Sequence, residues 1–255
     1  MSDYRAIIFD LDGTAIPNAE NGAPSPRLIE AVSKYREKIH LIAATGRTLP
    51  EALTVIQALG LTDPCIIMGG ATTVNPSNGQ SLTRTTLPPE SVQAVLDILK
   101  AWPNHVYVRS DNIVAQDPIN KASIGQDARL NHNVDMICVD AITDAELPTL
   151  KAQLEHHPKI LVTTAPSWST DHFLMISHRD ATKEHAITQV LNRLGVPKTA
   201  AIGVGDGEND IHLFAAVGLK VAMGNATPHL KTAADIVAPS VDEDGLAEII
   251  ERFAT

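Results

Sequence analysis

The sequence predicts an α/β fold: a doubly wound, parallel, Rossmann-like sheet with a smaller α+β domain inserted into it. Three observations predict this. Short apolar runs of strand length alternate with helical patterns in the first and last thirds of the chain. Strands buried on both faces and separated by helices mark a parallel sheet. The middle of the chain breaks that alternation, with short strand candidates at hairpin-like spacing, which marks antiparallel pairing.

Taken in order, the first strand is residues 6–9, a run of Ala, Ile, Ile and Phe that stops at Asp10. A helical pattern at about 26–38 leads to a second strand at 39–44, which stops at Thr45. A helix at 50–59 and a third strand at 65–68 complete the N-terminal part. The sheet resumes after a helix at 183–194 with strands at 200–204, 219–223 and 236–238. Helices at 210–216 and 228–233 lie between those strands, and one at 246–253 closes the chain. Between them, strand candidates at 105–108, 113–115, 136–139, 160–163 and 173–177 mix with helices at 90–101 and 144–156. The spacing Val108-Arg109-Ser110-Asp111-Asn112-Ile113 reads as a hairpin. The core is therefore residues 1–82 and 182–255, and the insert is residues 83–181, with junctions near 79–83 and 179–182.

Composition narrows the chemistry. The chain has 255 residues, 44% hydrophobic and 4% aromatic, so Ile, Leu, Val and Ala fill the core. Its formal net charge is -10, with no dense Lys/Arg patch, which argues against nucleic acid as the main partner. Cys65 and Cys138 are the two cysteines and have no neighbours at ligand spacing, so they read as buried thiols. The N-terminal apolar run is too short for a signal-peptide core, and no stretch has the length of a membrane span. The chain is expected to be cytoplasmic.

Four clusters fall at predicted strand ends or helix starts. Asp10-Leu11-Asp12-Gly13-Thr14 places two carboxylates two residues apart at the end of a buried run, with a glycine that lets the chain turn. Like charges this close repel unless a cation or a shared proton relieves them, so the strand end reads as a divalent-metal site. Thr45-Gly46-Arg47 adds a hydroxyl and a loosened backbone. Thr182-Lys183 puts a cation at a helix N-terminus, where the dipole disfavours it unless an anion lies nearby. Gly203-Val204-Gly205-Asp206-Gly207-Glu208-Asn209-Asp210 runs a strand into an acidic, glycine-rich loop. Carboxylates, a hydroxyl, an amine and a metal-ready loop are what phosphoryl transfer requires.

In these four motifs, in this order, the chain resembles the haloacid dehalogenase superfamily of phosphatases, and most closely its Cof-like branch, whose cap is inserted between the second and third motifs. The resemblance covers the core, including Val221-Ala222-Met223-Gly224-Asn225-Ala226 and Asp242-Glu243-Asp244-Gly245. It implies that Asp10 is the nucleophile, forming an aspartyl-phosphate, and that Asp12 is the general acid and then the base. It implies that Thr45, Gly46, Arg47, Lys183 and Asn209 serve the substrate phosphate, Asn209 by steadying its loop. It also implies that Asp10, the backbone carbonyl of Asp12, Asp206 and Asp210 hold Mg²⁺, Asp210 directly or through water. A metal-bound acid cannot readily deliver a proton, so Asp12 should offer the ion its backbone and not its carboxylate.

The chain departs from the family pattern at Gly69-Gly70-Ala71, where Asn-Gly-Ala is usual, and at Glu184, where Gly is usual. Arg47 reads either as a bidentate phosphate binder or as a contact to backbone or a surface acid. A calcium loop starting at Asp10 fails, because its sixth position is Ala15 and its twelfth Asn21. The glycines at 203, 205 and 207 do not fit dinucleotide spacing. In the insert, His105, Arg109, Arg129, His172, His178 and Arg179 read as structural or solvated, and Trp168 and Met175 as packing residues. The reading is a Mg²⁺-dependent phosphatase for a small phosphorylated metabolite such as a sugar phosphate, with the insert as a lid that selects the leaving group. The alternatives are a phosphomutase of the phosphomannomutase type and a non-enzymatic phospho-accepting switch.

Overall fold

The computed structural model describes residues 4–19, 22–110, 113–114, 118–119, 130, 133–166 and 172–254. The chain divides into two compact units, Met1–Thr83 with Thr182–Thr255, and Arg84–Ala181.

The first unit is built on a five-stranded parallel sheet. Its strands are β1 (Ala6–Phe9), β2 (His40–Ala43), β11 (Ala201–Gly205), β12 (Leu219–Ala222) and β13 (Ile236–Val237). They lie in the order β13-β12-β11-β1-β2, with β1 at the centre of the half that carries the motifs. Ile8 pairs with Gly203 on one side and Ile42 on the other, so Asp10 leaves the sheet between the ends of β11 and β2. All four residues of β1 are buried, as a central parallel strand requires. Helix α1 (Pro26–Tyr35) packs on both α2 (Leu49–Leu59) and α8 (Gly245–Phe253), and α5 (Lys183–Leu194) packs on α6 (Ile211–Ala215). A short α7 (Pro228–Ala233) follows β12.

The expected third core strand departs from the sequence reading. β3 (Cys65–Ile67) packs beside β2 but joins the main sheet by a single parallel bridge, between Ile66 and Ala44. It pairs antiparallel with β4 (Thr72–Val74), and β5 (Ser81–Arg84) completes a separate three-stranded sheet. The sequence reading contained neither β4 nor β5. Each is three or four residues long, and the exposed-intermediate alternation of β5 leaves little apolar signal. The helix expected at 26–38 ends at Tyr35, because residues 36–38 form a turn in which the Lys38 amide donates to the Tyr35 carbonyl.

The second unit is an antiparallel sheet of β6 (Val106–Ser110), β7 (Ile113–Val114), β8 (Met136–Ile142), β9 (Ile160–Pro166) and β10 (His172–His178), ordered β7-β6-β8-β10-β9. Helix α4 (Leu147–Glu155) packs on β9 and on α3 (Pro89–Leu99). Ile137, Val139, Leu150, Leu154, Leu174 and Ile176, all fully buried, form the centre of its core. Arg84 grips the fully buried carboxylate of Asp135 through two hydrogen bonds of 2.5 and 2.8 Å. The turn residues Asp111 and Asn112, together with Ala115, Arg129 and Trp168, lie outside the described residues. Among the described residues no helix is long and apolar enough to cross a membrane.

Candidate active site

The carboxyl ends of β1, β11 and β2 bring the motif residues together. Asp10 follows β1 and is 6% exposed. The chain then turns at Gly13, whose φ of +75° suits a residue without Cβ. A Cβ there would also lie 2.1 Å from Asp206 Oδ2, so the glycine is what lets the first loop lie against the acidic one. Thr14 Oγ1 donates to Asp206 Oδ1 at 3.0 Å across that contact.

Asp210 anchors the acidic loop after β11. Its Oδ2 accepts the backbone amides of Asp206 (2.9 Å) and Gly207 (3.0 Å), and its Oδ1 accepts the ammonium of Lys183 at 2.7 Å. Lys183 also donates to Asp10 Oδ1 at 2.7 Å. This ammonium is 2% exposed at the first turn of α5, whose N-cap hydroxyl, Thr182 Oγ1, accepts the His185 amide. Asp10 and Asp210 are thus the anions that a lysine at a helix N-terminus calls for. No other hydrogen bond reaches the Asp10 carboxylate among the described residues, which leaves its Oδ2 without a donor.

Electrostatics in this cluster follow from burial. The Asp10 carboxyl is pushed up to about 7 by burial, against which Lys183 works, with the charges of Asp210 and Asp206 adding to the rise. Burial and then the Asp210 charge push Asp206 up to about 6. Burial opposes the Lys183 ammonium, yet Asp10 and Asp210 outweigh it and leave the lysine above its ordinary value. Asp10, Asp206 and Asp210 each offer an oxygen within 4.8 Å of the others. Three carboxylates gathered this closely are a donor set that fits a hard divalent cation. The Asp12 side chain is not in that set among the described residues.

Thr45 lies two residues past β2, is 1% exposed, and accepts the Arg47 amide on its hydroxyl at 3.2 Å. Its carbonyl accepts the Gly69 amide at 3.0 Å. Gly46 is exposed, with nothing within 4 Å of where a Cβ would stand. Arg47 points at an acid: its Nε donates to Asp12 Oδ2 at 2.8 Å and its Nη2 to Oδ1 at 2.6 Å. Asn209 is exposed on the acidic loop.

The two departures from the family pattern have distinct surroundings. Gly69 takes a φ of +67° with open space around its missing Cβ, a conformation asparagine also tolerates. Glu184 is exposed in the first turn of α5, while the Lys183 ammonium is held by Asp10 and Asp210. Both cysteines are buried, and burial pushes the Cys65 thiol up to about 12, which keeps it inert.

Three supporting residues carry no assigned role in the sequence reading. Thr14 is described above. Gly70, at φ +113°, lets the turn after β3 abut α5, since a Cβ would lie 2.2 Å from the Thr182 carbonyl carbon and oxygen. Asn225 donates to the Gly13 carbonyl at 2.8 Å and accepts the Val241 amide at 2.9 Å, tying the first loop to residue 241. An Asn following the strand-and-glycine run Val221-Ala222-Met223-Gly224 was the available signal for the last.

Comparison with known proteins agrees with this architecture. The chain is similar to a phosphoglycolate phosphatase of Staphylothermus marinus, 23% identical, over 98% of this chain and 97% of that one. It is similar to a 5-amino-6-(5-phospho-D-ribitylamino)uracil phosphatase of Bacillus subtilis, YitU, 24% identical, over 97% and 96% of the two chains. Its fold matches a solved phosphatase of the haloalkanoate enzyme superfamily from Bacteroides thetaiotaomicron, with a TM-score of 0.81, 20% identity, and coverage of 98% of this chain and 95% of that one. The family model for haloacid dehalogenase-like hydrolases matches residues 7–250, and the chain belongs to that family.

Proposed function

We propose that the protein is a Mg²⁺-dependent phosphatase that hydrolyses a small phosphorylated metabolite, a sugar phosphate or a similar phosphate monoester, through a covalent phosphate on Asp10. The observation that carries this reading is the state of Asp10. It is buried in an acidic cluster, one oxygen is fixed by Lys183, and the other has no donor among the described residues.

In the first half-reaction the free Asp10 oxygen attacks phosphorus, and the ester P–O bond breaks. Asp12 gives its proton to the departing oxygen. In the second, Asp12 takes a proton from water, the water oxygen attacks phosphorus, and the bond to Asp10 breaks to release inorganic phosphate. Thr45, the Gly46 backbone and Lys183 hold the transferring oxygens in place, and Asn209 steadies the acidic loop. Asp10, Asp206, Asp210 and the Asp12 carbonyl would hold Mg²⁺, which when bound neutralises charge on the phosphoryl oxygens. Every group assigned to the phosphoryl end belongs to the first unit, so the insert, residues 84–181, is the part left to select the leaving group. The relatives' substrates, phosphoglycolate and a ribitylamino phosphate, are small monoesters of this class. A cytoplasmic setting, where such metabolites occur, is part of the same reading.

The test is phosphate release from a panel of phosphorylated metabolites. Asp10→Asn should abolish turnover with the circular dichroism spectrum retained, and EDTA should stop the wild type reversibly. Near-wild-type turnover by the variant, or full activity in EDTA, would remove the nucleophile or the metal from the account.

A further inference from the structure

Arg47 is the least expected part of the site. An arginine two residues after a phosphate-binding threonine is well placed to reach a phosphoryl oxygen. Instead its guanidinium lies edge-on to the Asp12 carboxylate, with Nε on one oxygen at 2.8 Å and Nη2 on the other at 2.6 Å. This is the two-point fork geometry that fixes a carboxylate in position and in plane. Its Nη1 donates to the Glu51 carbonyl at 3.3 Å.

The arginine is itself firmly mounted. Its amide donates to Thr45 Oγ1 at 3.2 Å, and its carbonyl accepts the Met68 amide at 2.9 Å. The next residue, Thr48, is fastened to Glu51 through its amide at 2.8 Å and its hydroxyl at 2.5 Å, which fixes the start of α2. The Asp12 backbone is tied by a bridge to Ile16, but among the described residues its side chain is hydrogen-bonded by Arg47 alone. Asp12 follows the central strand on a loop, and its side chain is 32% exposed, against 22% for Arg47.

We propose that Arg47 is a positioning residue that aims the Asp12 carboxylate for proton transfer, and that it is not a ligand of the transferring phosphoryl group. The proposal rests on the phosphatase reading above. It assigns the end of β2 two separate duties: Thr45 serves phosphate, and Arg47 serves the acid. Each Asp12 oxygen keeps a second acceptor site beside the one the guanidinium fills, so Arg47 can hold the carboxyl group in place while it carries the proton that the leaving oxygen takes.

The test compares Arg47→Ala and Arg47→Lys with wild type on two monoesters. One is an alkyl phosphate, whose leaving oxygen needs a proton. The other is p-nitrophenyl phosphate, whose leaving group departs as a stable anion. With Arg47→Ala, kcat/KM on the alkyl ester should fall about 100-fold, the scale of a misplaced catalytic group, and on the aryl ester far less. Inhibition by inorganic phosphate should weaken less than about threefold, since no direct ligand is lost. Arg47→Lys should recover only part of the loss, because an ammonium cannot make the two-point contact. In an Asp12→Asn background, Arg47→Ala should add little further loss. An active wild type in which Arg47→Ala harms both esters equally and weakens phosphate more than about tenfold would overturn the Arg47 assignment alone, since that is the pattern of a lost phosphate ligand. A wild type inert toward every phosphate ester would overturn the phosphatase reading and this one with it.

Discussion

Replacing Lys183 with Met tests the electrostatic account of the cluster most severely. The ammonium is 2% exposed and makes two contacts of 2.7 Å, to Asp10 and Asp210. At an effective dielectric near 20, each such contact is worth roughly 6 kcal/mol before desolvation is counted. Most of that is cancelled by the cost of burying the charges, but removing one partner of a buried pair leaves the others uncompensated, at about 3–5 kcal/mol. The loss should depend on pH in a stated direction. Asp10 in the folded protein is raised to about 7 from 3.8, so the folded core binds more protons than the unfolded chain between those values. Without metal, its stability therefore rises as pH falls through that window. Lys183 is the main opposing influence, so its removal raises Asp10 further and makes the penalty largest where the carboxylates must stay charged. Metal-free Lys183→Met should lose about 3–5 kcal/mol near pH 8 and clearly less near pH 5. The assay is urea unfolding followed by far-ultraviolet circular dichroism. Both tryptophans, Trp102 and Trp168, lie in the insert, so fluorescence would miss the core. A loss below about 1 kcal/mol near pH 8, or the same loss at both pH values, would refute the reasoning.

Other perturbations follow from the same geometry. Mg²⁺ binding should release protons near pH 6 and tighten as pH rises to about 7, because Asp10 and Asp206 are raised to about 7 and about 6 and must ionise to act as ligands. Calorimetry in two buffers of different ionisation heat measures this, and binding with neither proton release nor pH dependence would contradict it. In the insert, Asp135→Ala should cost about 3–5 kcal/mol by removing the buried carboxylate that pairs with the Arg84 guanidinium, read from tryptophan fluorescence during unfolding, and a change under about 1 kcal/mol would show that the pair does not hold the insert together. Gly70→Ala should lower kcat about 100-fold by pushing the turn after β3 off the Lys183 helix, whereas Gly69→Asn should stay within a few-fold, and the reverse ranking would show that the contact with Thr182 does not set the lysine.

The sheet and the candidate site at its carboxyl edge were legible because the same signal marks both. A buried parallel strand is a continuous apolar run, and the residues where the run stops are the ones at the ligand-binding edge. Asp10, Thr45 and Asp206 are marked that way by the sequence alone. Lys183 was legible as an anomaly, a cation on the wrong end of a helix, and its partners Asp10 and Asp210 supply the anions. What the sequence did not carry is pairing between side chains far apart in the chain. Arg47 and Asp12 are 35 positions apart, and Arg84 and Asp135 are 51 apart, with no periodic pattern that joins them. Asn225 and Gly13 are separated by 212 positions. Strands β4 and β5 were also illegible. In this small sheet the buried places of β4 are taken by Thr72 and Thr73, and in β5 Ser81 and Thr83 are exposed, so neither strand shows as an apolar run.

The account turns on covalent transfer of the phosphoryl group to Asp10. Rapid acid quenching of the wild type with a ³²P-labelled phosphate ester, followed by digestion and mass spectrometry, measures that directly. The predicted result is a transient, hydroxylamine-sensitive label on the peptide carrying residue 10, formed and lost fast enough to account for turnover and missing in Asp10→Asn. Phosphate released at the full rate with no label on that peptide at any time point would contradict it.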